Sequence, residues 1–154
     1  MSIYTFTLFV HSYLRWVVLG LGVGVAFRAW SALRSGRDWD RRDERWQVAF
    51  VGSVDLQLTL GLVLYVFLSP FSQAFLADIA HSIKEPTLRF FGLEHAFVML
   101  PAVVLAHVVR VRSKRLSGAA RQRSVWILTT IVVLLMLVGQ PWPFLRYGRP
   151  LLRL

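Results

Sequence analysis

The sequence contains no cysteine. Disulfide bonds, thiolate catalysis and cysteine-ligated zinc or iron–sulfur clusters are therefore excluded. The chain also lacks a serine nucleophile motif, a pair of catalytic carboxylates and a phosphate-binding loop. The opening residues, MSIYTFTLF, have neither the basic segment nor the small-residue cleavage site of a signal peptide, so we expect the first helix to remain in the mature protein.

Acidic residues are scarce. The chain has 8 Asp and Glu against 18 Lys and Arg, which gives a net charge of +10. In a soluble protein this balance suggests nucleic-acid binding. Here the basic residues stand at the ends of apolar segments, which is typical of membrane topology signals. We therefore predict contact with the lipid bilayer and no nucleic-acid partner.

Apolar residues are abundant and fall into four blocks. The hydrophobic fraction is 56% and the mean hydropathy is +0.55. The blocks cover residues 5–33, 46–71, 88–111 and 124–140, and each approaches or exceeds the roughly 20 residues that a helix needs to cross a bilayer. The sequence predicts an all-α membrane protein, a four-transmembrane-helix bundle, in a single domain spanning residues 1–154.

The basic residues also predict an orientation. Lys and Arg in short loops stay on the cytoplasmic side of a membrane. The first and third connections together carry eleven of them: Arg34, Arg37, Arg41, Arg42, Arg45, Arg110, Arg112, Lys114, Arg115, Arg121 and Arg123. The second connection and the C-terminal tail carry five: Lys84, Arg89, Arg146, Arg149 and Arg153. We therefore expect both termini to lie outside.

Two histidines within the apolar blocks share a membrane depth. His11 lies roughly 9 Å and His95 roughly 10 Å from the outer ends of their helices, at about 1.5 Å per residue. Both helices run inward, so the two side chains are at one level in the outer leaflet. Two histidines on different helices at one depth suit axial ligation of a haem iron, and bundle interiors hold such sites.

Three neighbours extend this candidate site. Arg15 lies one turn below His11 and suits a haem propionate, or alternatively a pairing with Glu94. Gly92, three residues before His95, is predicted to leave room for a porphyrin. Two other interpretations remain open: the polar side chains only join the first and third long helices, or the two histidines and Glu94 bind copper or zinc.

A second polar group is expected in the inner half of the bundle. Asp55 and His107 are placed to meet, with Gln57 nearby although it points to another face. They suit a proton path or a quinone pocket; the alternative is an ion pair that only joins two helices. His107 lies roughly 18 Å along the axis from His95 and cannot ligate the same iron. The histidines therefore allow one haem only.

Four segments resemble a known group of proteins. HSYLRW, DLQLTLGLVLY, FFGLEHAFVMLPAVVLAHVVRVRSKR and GQPWPF are similar to small bacterial four-helix membrane proteins labelled cytochrome b-like. The resemblance implies one b-type haem, held by His11 and His95, in a multi-pass protein of the bacterial inner membrane.

The function that we expect is electron transfer with a quinone or a periplasmic redox partner, as an electron-transfer protein or oxidoreductase subunit. Two alternatives remain. One is a non-catalytic subunit of a larger respiratory or photosynthetic membrane complex. The other is a proton-coupled carrier that uses Asp55 and His107.

Overall fold

Four long helices form the protein. A computed structural model describes residues 1–151. The long helices are α1 (Ile3–Ser35), α2 (Arg41–Leu68), α5 (Pro86–Arg115) and α6 (Gly118–Val138), and all four are long and apolar enough to cross a membrane. Two short helices, α3 (Pro70–Ala77) and α4 (Ile79–Ser82), lie in the second connection. The predicted all-α four-helix bundle is therefore confirmed.

Polar residues set the start of α2 five residues before the predicted apolar block. The Asp40 carboxylate accepts hydrogen bonds from the backbone N–H groups of Arg42 and Asp43, and the Asp43 carboxylate accepts one from the Asp40 N–H. This reciprocal arrangement satisfies backbone donors that have no partner within the helix. Gly36 ends α1 with a φ of 68°, a left-handed conformation that glycine adopts without steric cost.

Small side chains allow the helices to approach closely. α1 packs along α2 and α6, and α5 packs along α6, whereas α2 and α5 touch less extensively. Ala29, Ala102 and Ala106 are fully buried in the core between these helices. A Cβ at Gly24 would overlap the Trp46 ring. In a membrane, where lipid tails are as apolar as leucine, such close packing is a main source of helix association.

One end of the bundle is held by charged side chains. The Asp43 carboxylate is fully buried and meets the guanidinium groups of both Arg28 and Arg37 at 2.7 Å. The Gln122 side chain donates a hydrogen bond to the Arg37 carbonyl. The hydrogen bond with Asp43 is the main reason why the pKa of Arg37 lies above its usual value.

Glu44 completes this network. Its carboxylate pairs with Arg110 at 2.5 Å and with Arg121 at 3.1 Å, and it accepts a hydrogen bond from the Trp39 indole. We call this region, which comprises Arg28, Arg37, Asp43, Glu44, Arg110 and Arg121, the salt-bridge end. Its members come from all four long helices and one loop, so it fixes the helices relative to one another.

Aromatic contacts close the opposite end. The chain after α6 folds back over the bundle, where Tyr147 stacks on Phe90 with ring centres 3.9 Å apart. The Arg149 guanidinium lies over the rings of Phe71 and Phe91, 4.8 and 5.1 Å from their centres. The tail is thereby held against the second connection and the start of α5.

Candidate functional site

A cavity of about 370 Å³ lies between the helices below this aromatic cover. Most of its wall is apolar, with contributions from α1, α2, α5 and α6 and from the tail. A few polar side chains also line it: His11, Arg15, Gln57, Tyr65, His95, Gln140 and Arg149. We call this region, defined by the cavity and these side chains, the histidine end. An apolar cavity with a few converging polar groups is typical of a ligand site.

The structure brings the two predicted histidines together. The ring centres of His11 and His95 are 6.5 Å apart, with an angle of 69° between the ring planes. Two imidazoles on opposite sides of one metal ion, with bonds of about 2.0–2.1 Å, place their ring centres roughly 6 Å apart. The ring centres are therefore far enough apart for one metal ion to lie between the two imidazoles. Iron ligation itself stays a prediction.

His95 is held in one tautomer. Its Nδ1 lies 2.8 Å from the Gly139 carbonyl oxygen, which can only accept a hydrogen bond. The proton of the neutral ring is therefore on Nδ1, and Nε2 keeps its lone pair. Nε2 has no hydrogen-bond partner among residues 1–151. This is the usual arrangement of a metal-binding histidine, whose second nitrogen donates to a carbonyl group.

Gln57 positions His11. Its side-chain nitrogen lies 3.2 Å from His11 Nε2 and donates to the His11 carbonyl oxygen at 3.1 Å. Two buried atoms of this pair, His11 Nδ1 and Gln57 Oε1, have no hydrogen-bond partner among residues 1–151. Unpaired buried polar atoms are rare in proteins because each loses its hydration without compensation. Because the Gln57 amide donates to His11 Nε2, the proton of the neutral His11 ring is on Nδ1. The pair therefore offers one N–H donor, His11 Nδ1, and one acceptor, Gln57 Oε1, for a further hydrogen bond.

Arg15 does not contact Glu94. It donates hydrogen bonds to the Gln140 side chain at 3.0 Å and to the Leu151 carbonyl at 2.7 Å. Glu94 pairs instead with Arg89 at 2.6 Å. The proposed Arg15–Glu94 pairing is therefore wrong, because a basic partner on Glu94's own helix is nearer. No group of three His, Asp or Glu side chains within the described part of the chain is arranged to hold a metal ion.

Gly92 does not face open space. A Cβ at this position would overlap the Phe75 ring, which comes from the short helix α3. The Gly92 carbonyl accepts a hydrogen bond of 2.6 Å from the Tyr65 hydroxyl. The prediction that Gly92 leaves room for a porphyrin is therefore wrong, since Phe75 fills that room. Gly92 instead lets α3 pack against the start of α5.

Asp55 and His107 meet outside the cavity. Asp55 Oδ1 lies 2.8 Å from His107 Nε2, so the predicted pair is present. The side chains are 50% and 48% exposed on the outer surface of α2 and α5. Gln57 takes no part, because it points inward to His11. The three residues therefore do not form one quinone pocket.

Several site residues were not predicted from the sequence. Gln57 contacts His11 and not the Asp55–His107 pair with which the sequence groups it. Gly61 also lies beside His11, which the apolar content of α2 does not reveal. A Cβ at Gly61 would lie 3.3 Å from His11 Cε1. Gln57, Gly61 and Tyr65 are spaced by four residues, which places them on one face of α2. This spacing is the signal that would have identified the cavity face of the helix.

Comparison of the chain with known protein families, curated proteins and solved structures found no match. The resemblance to cytochrome b-like membrane proteins therefore stays a prediction.

Proposed function

We propose that the protein binds one b-type haem at the histidine end, with His11 and His95 as axial ligands, and transfers electrons. The observation that supports this most strongly is the 6.5 Å spacing of the two imidazole rings beside an apolar cavity. When bound, the haem supplies an iron centre that accepts and releases one electron.

The donor atoms around the cavity fit this group. His95 offers a lone pair on Nε2. The lone pair of His11 is on Nε2, where it accepts from the Gln57 amide, so His11 would bind the iron once Gln57 releases this hydrogen bond. The cavity volume lies within the range of about 300–1,000 Å³ that ligand sites occupy. Its wall also carries the guanidinium groups of Arg15 and Arg149, which suit the two carboxylates of the haem edge.

The surrounding residues orient the two ligands. Gly139 fixes the ring of His95, and Gln57 holds His11 through both the ring and the backbone. Partners of this kind determine which nitrogen is available and how basic it is. If His11 and His95 both held the iron, the group would serve electron transfer rather than oxygen chemistry.

The loop charges support an orientation for this site. The salt-bridge end adjoins the two connections that carry most of the basic residues, and such loops stay in the cytoplasm. This orientation places both termini and the histidine end at the outer side of a bacterial inner membrane. The redox partner is then a quinone in the bilayer or a periplasmic protein.

The test is a reduced-minus-oxidised absorption spectrum of the purified protein. We expect a Soret band in the wild-type protein and its loss in both His11→Ala and His95→Ala. His107→Ala is the matched control, because it removes a histidine that lies outside the cavity, and it should keep the band. A wild-type protein without a Soret band after expression with ample haem would overturn the proposal. Retention of the band in both cavity variants would do the same.

A further inference from the structure

The pair of Asp55 and His107 lies where a membrane protein seldom exposes ionisable groups. Asp55 is near the middle of the 28-residue helix α2, so it is close to the centre of the apolar span. Both side chains are about half exposed on the outer surface of the chain. Ionisable residues inside membrane spans almost always face protein or water, because hydrocarbon solvates charge poorly. A single copy of the chain would leave this pair against lipid.

The surface around the pair permits close approach of another helix. Gly52 is exposed, and a Cβ at this position would meet no atom within 4 Å. Thr59 is exposed one turn beyond Asp55, and its hydroxyl donates to the Asp55 carbonyl. Gly52, Asp55 and Thr59 therefore lie along one side of α2, and His107 of α5 adjoins them. Small and hydrogen-bonding residues of this kind are enriched where membrane helices pack against each other.

We propose that a second copy of the chain packs on this surface, which we call the α2–α5 patch (Gly52, Asp55, Thr59 and His107). The argument for a second copy is charge complementarity. In a two-fold symmetric dimer the same patch faces itself. Within each copy Asp55 Oδ1 already meets His107 Nε2, and this pair uses one carboxylate oxygen and one ring nitrogen. The second carboxylate oxygen of one copy can therefore meet the second ring nitrogen of the partner's His107, while the reverse contact also forms. The ionisable groups of the patch thereby find polar partners in the second copy, and no other protein is needed.

The opposite side of the bundle differs from the α2–α5 patch in its polarity. Large apolar residues such as Leu56 and Val108 are exposed beside the patch as well, so the difference is the ionisable pair itself. Exposed residues on that opposite side, on α1 and α6, are large and apolar: Val23, Phe27, Trp30, Ile131 and Leu134. That surface suits lipid directly, whereas the α2–α5 patch does not. The proposal does not depend on haem binding.

The absence of cysteine makes a direct test possible, since any introduced thiol is unique. Thr59→Cys places a thiol in the α2–α5 patch, and Leu134→Cys places one on the apolar side as the matched control. Mild oxidation in membranes should convert Thr59→Cys into a disulfide-linked species of twice the chain mass, and Leu134→Cys should stay monomeric. Equal cross-linking of the two variants, or a Thr59→Cys adduct only with a protein of different mass, would overturn the proposal.

Subunit counting by single-molecule photobleaching in dilute liposomes provides the second measurement. The wild-type chain should bleach in two steps. The double variant with Asp55→Leu and His107→Leu should dimerise about tenfold more weakly, the change that loss of one or two interhelical hydrogen bonds produces. Its helical circular dichroism should equal that of the wild type, because neither side chain contributes to the core. A wild-type chain that bleaches in one step would contradict a dimer.

Discussion

The two ends of the bundle use polar side chains in opposite ways. At the salt-bridge end, the buried Asp43 carboxylate meets two guanidinium groups and a backbone N–H. At the histidine end, polar side chains surround a cavity, and the buried atoms His11 Nδ1 and Gln57 Oε1 lack partners within the described part of the chain. A region in which charged groups pair with one another acts as a structural clamp, although the adjoining Gln47 amide, which accepts from Arg110, has a buried nitrogen without a partner among residues 1–151. A cavity lined by basic and amide side chains is suited to a ligand that supplies the contacts these side chains lack.

The largest effect is expected at the salt-bridge end. Asp43→Asn removes the buried carboxylate that Arg28 and Arg37 share and leaves them Asp40 as an acidic partner. Breaking a buried pair costs about 3–5 kcal/mol, and we expect the lower end of this range because both guanidinium groups are partly exposed. Denaturant unfolding in detergent should show this loss of stability, whereas the Soret band should keep its shape at low denaturant. The control is Asp38→Asn, which changes an exposed side chain and should alter stability by at most about 0.5 kcal/mol. Equal effects of the two variants would contradict the clamp.

A smaller effect is expected when the cavity is filled. Gly61→Leu directs a bulky side chain toward His11, and overpacking costs about 1–3 kcal/mol. Haem affinity should therefore fall by roughly tenfold or more, measured by absorbance titration. Gly20→Leu is the matched control, since a Cβ there meets no atom within 4 Å, and its haem affinity should equal that of the wild type. Unchanged affinity in Gly61→Leu would place the ligand elsewhere.

The smallest effect concerns the cover of the cavity. Arg149→Leu removes the cation–π contacts with Phe71 and Phe91, which contribute about 0.5–1 kcal/mol at partly exposed sites. We expect a small decrease in the free energy of unfolding and faster loss of haem to an acceptor protein in stopped-flow measurements. If haem loss is as slow as in the wild type, the tail does not retain the ligand.

Distances along the helix axes could be predicted from the sequence. Each residue of a helix adds a fixed rise, so counting from the ends of the apolar blocks placed His11 and His95 at one level. The same counting placed Asp55 and His107 only in the same inner half of the bundle, roughly 13 Å and 6 Å from the inner ends of their helices. Both pairs are present in the structure. The start of α2 was missed by five residues, because Asp40 caps the helix within a polar segment that apolar content does not reveal.

Partners around the helix axis could not be predicted in the same way. A π-helical turn over Phe90–Glu94 directly precedes His95. Its backbone hydrogen bonds span five residues instead of the four that they span in an α-helix. Such a turn shifts which face each following side chain occupies. The partner of Gly92 came from α3 and that of Arg15 from the tail, and neither segment has a periodic pattern long enough to predict its position.

The central claim, that the histidine end is completed by one haem, is tested most directly by titrating haem into the apoprotein while absorbance and unfolding are followed together. The wild-type protein should saturate at one haem per chain. Its stability should rise by about 2.7 kcal/mol when free haem reaches about 100 times Kd. The double variant with His11→Ala and His95→Ala should show neither change. A wild-type titration without saturable binding, or equal stabilisation of the double variant, would contradict the account.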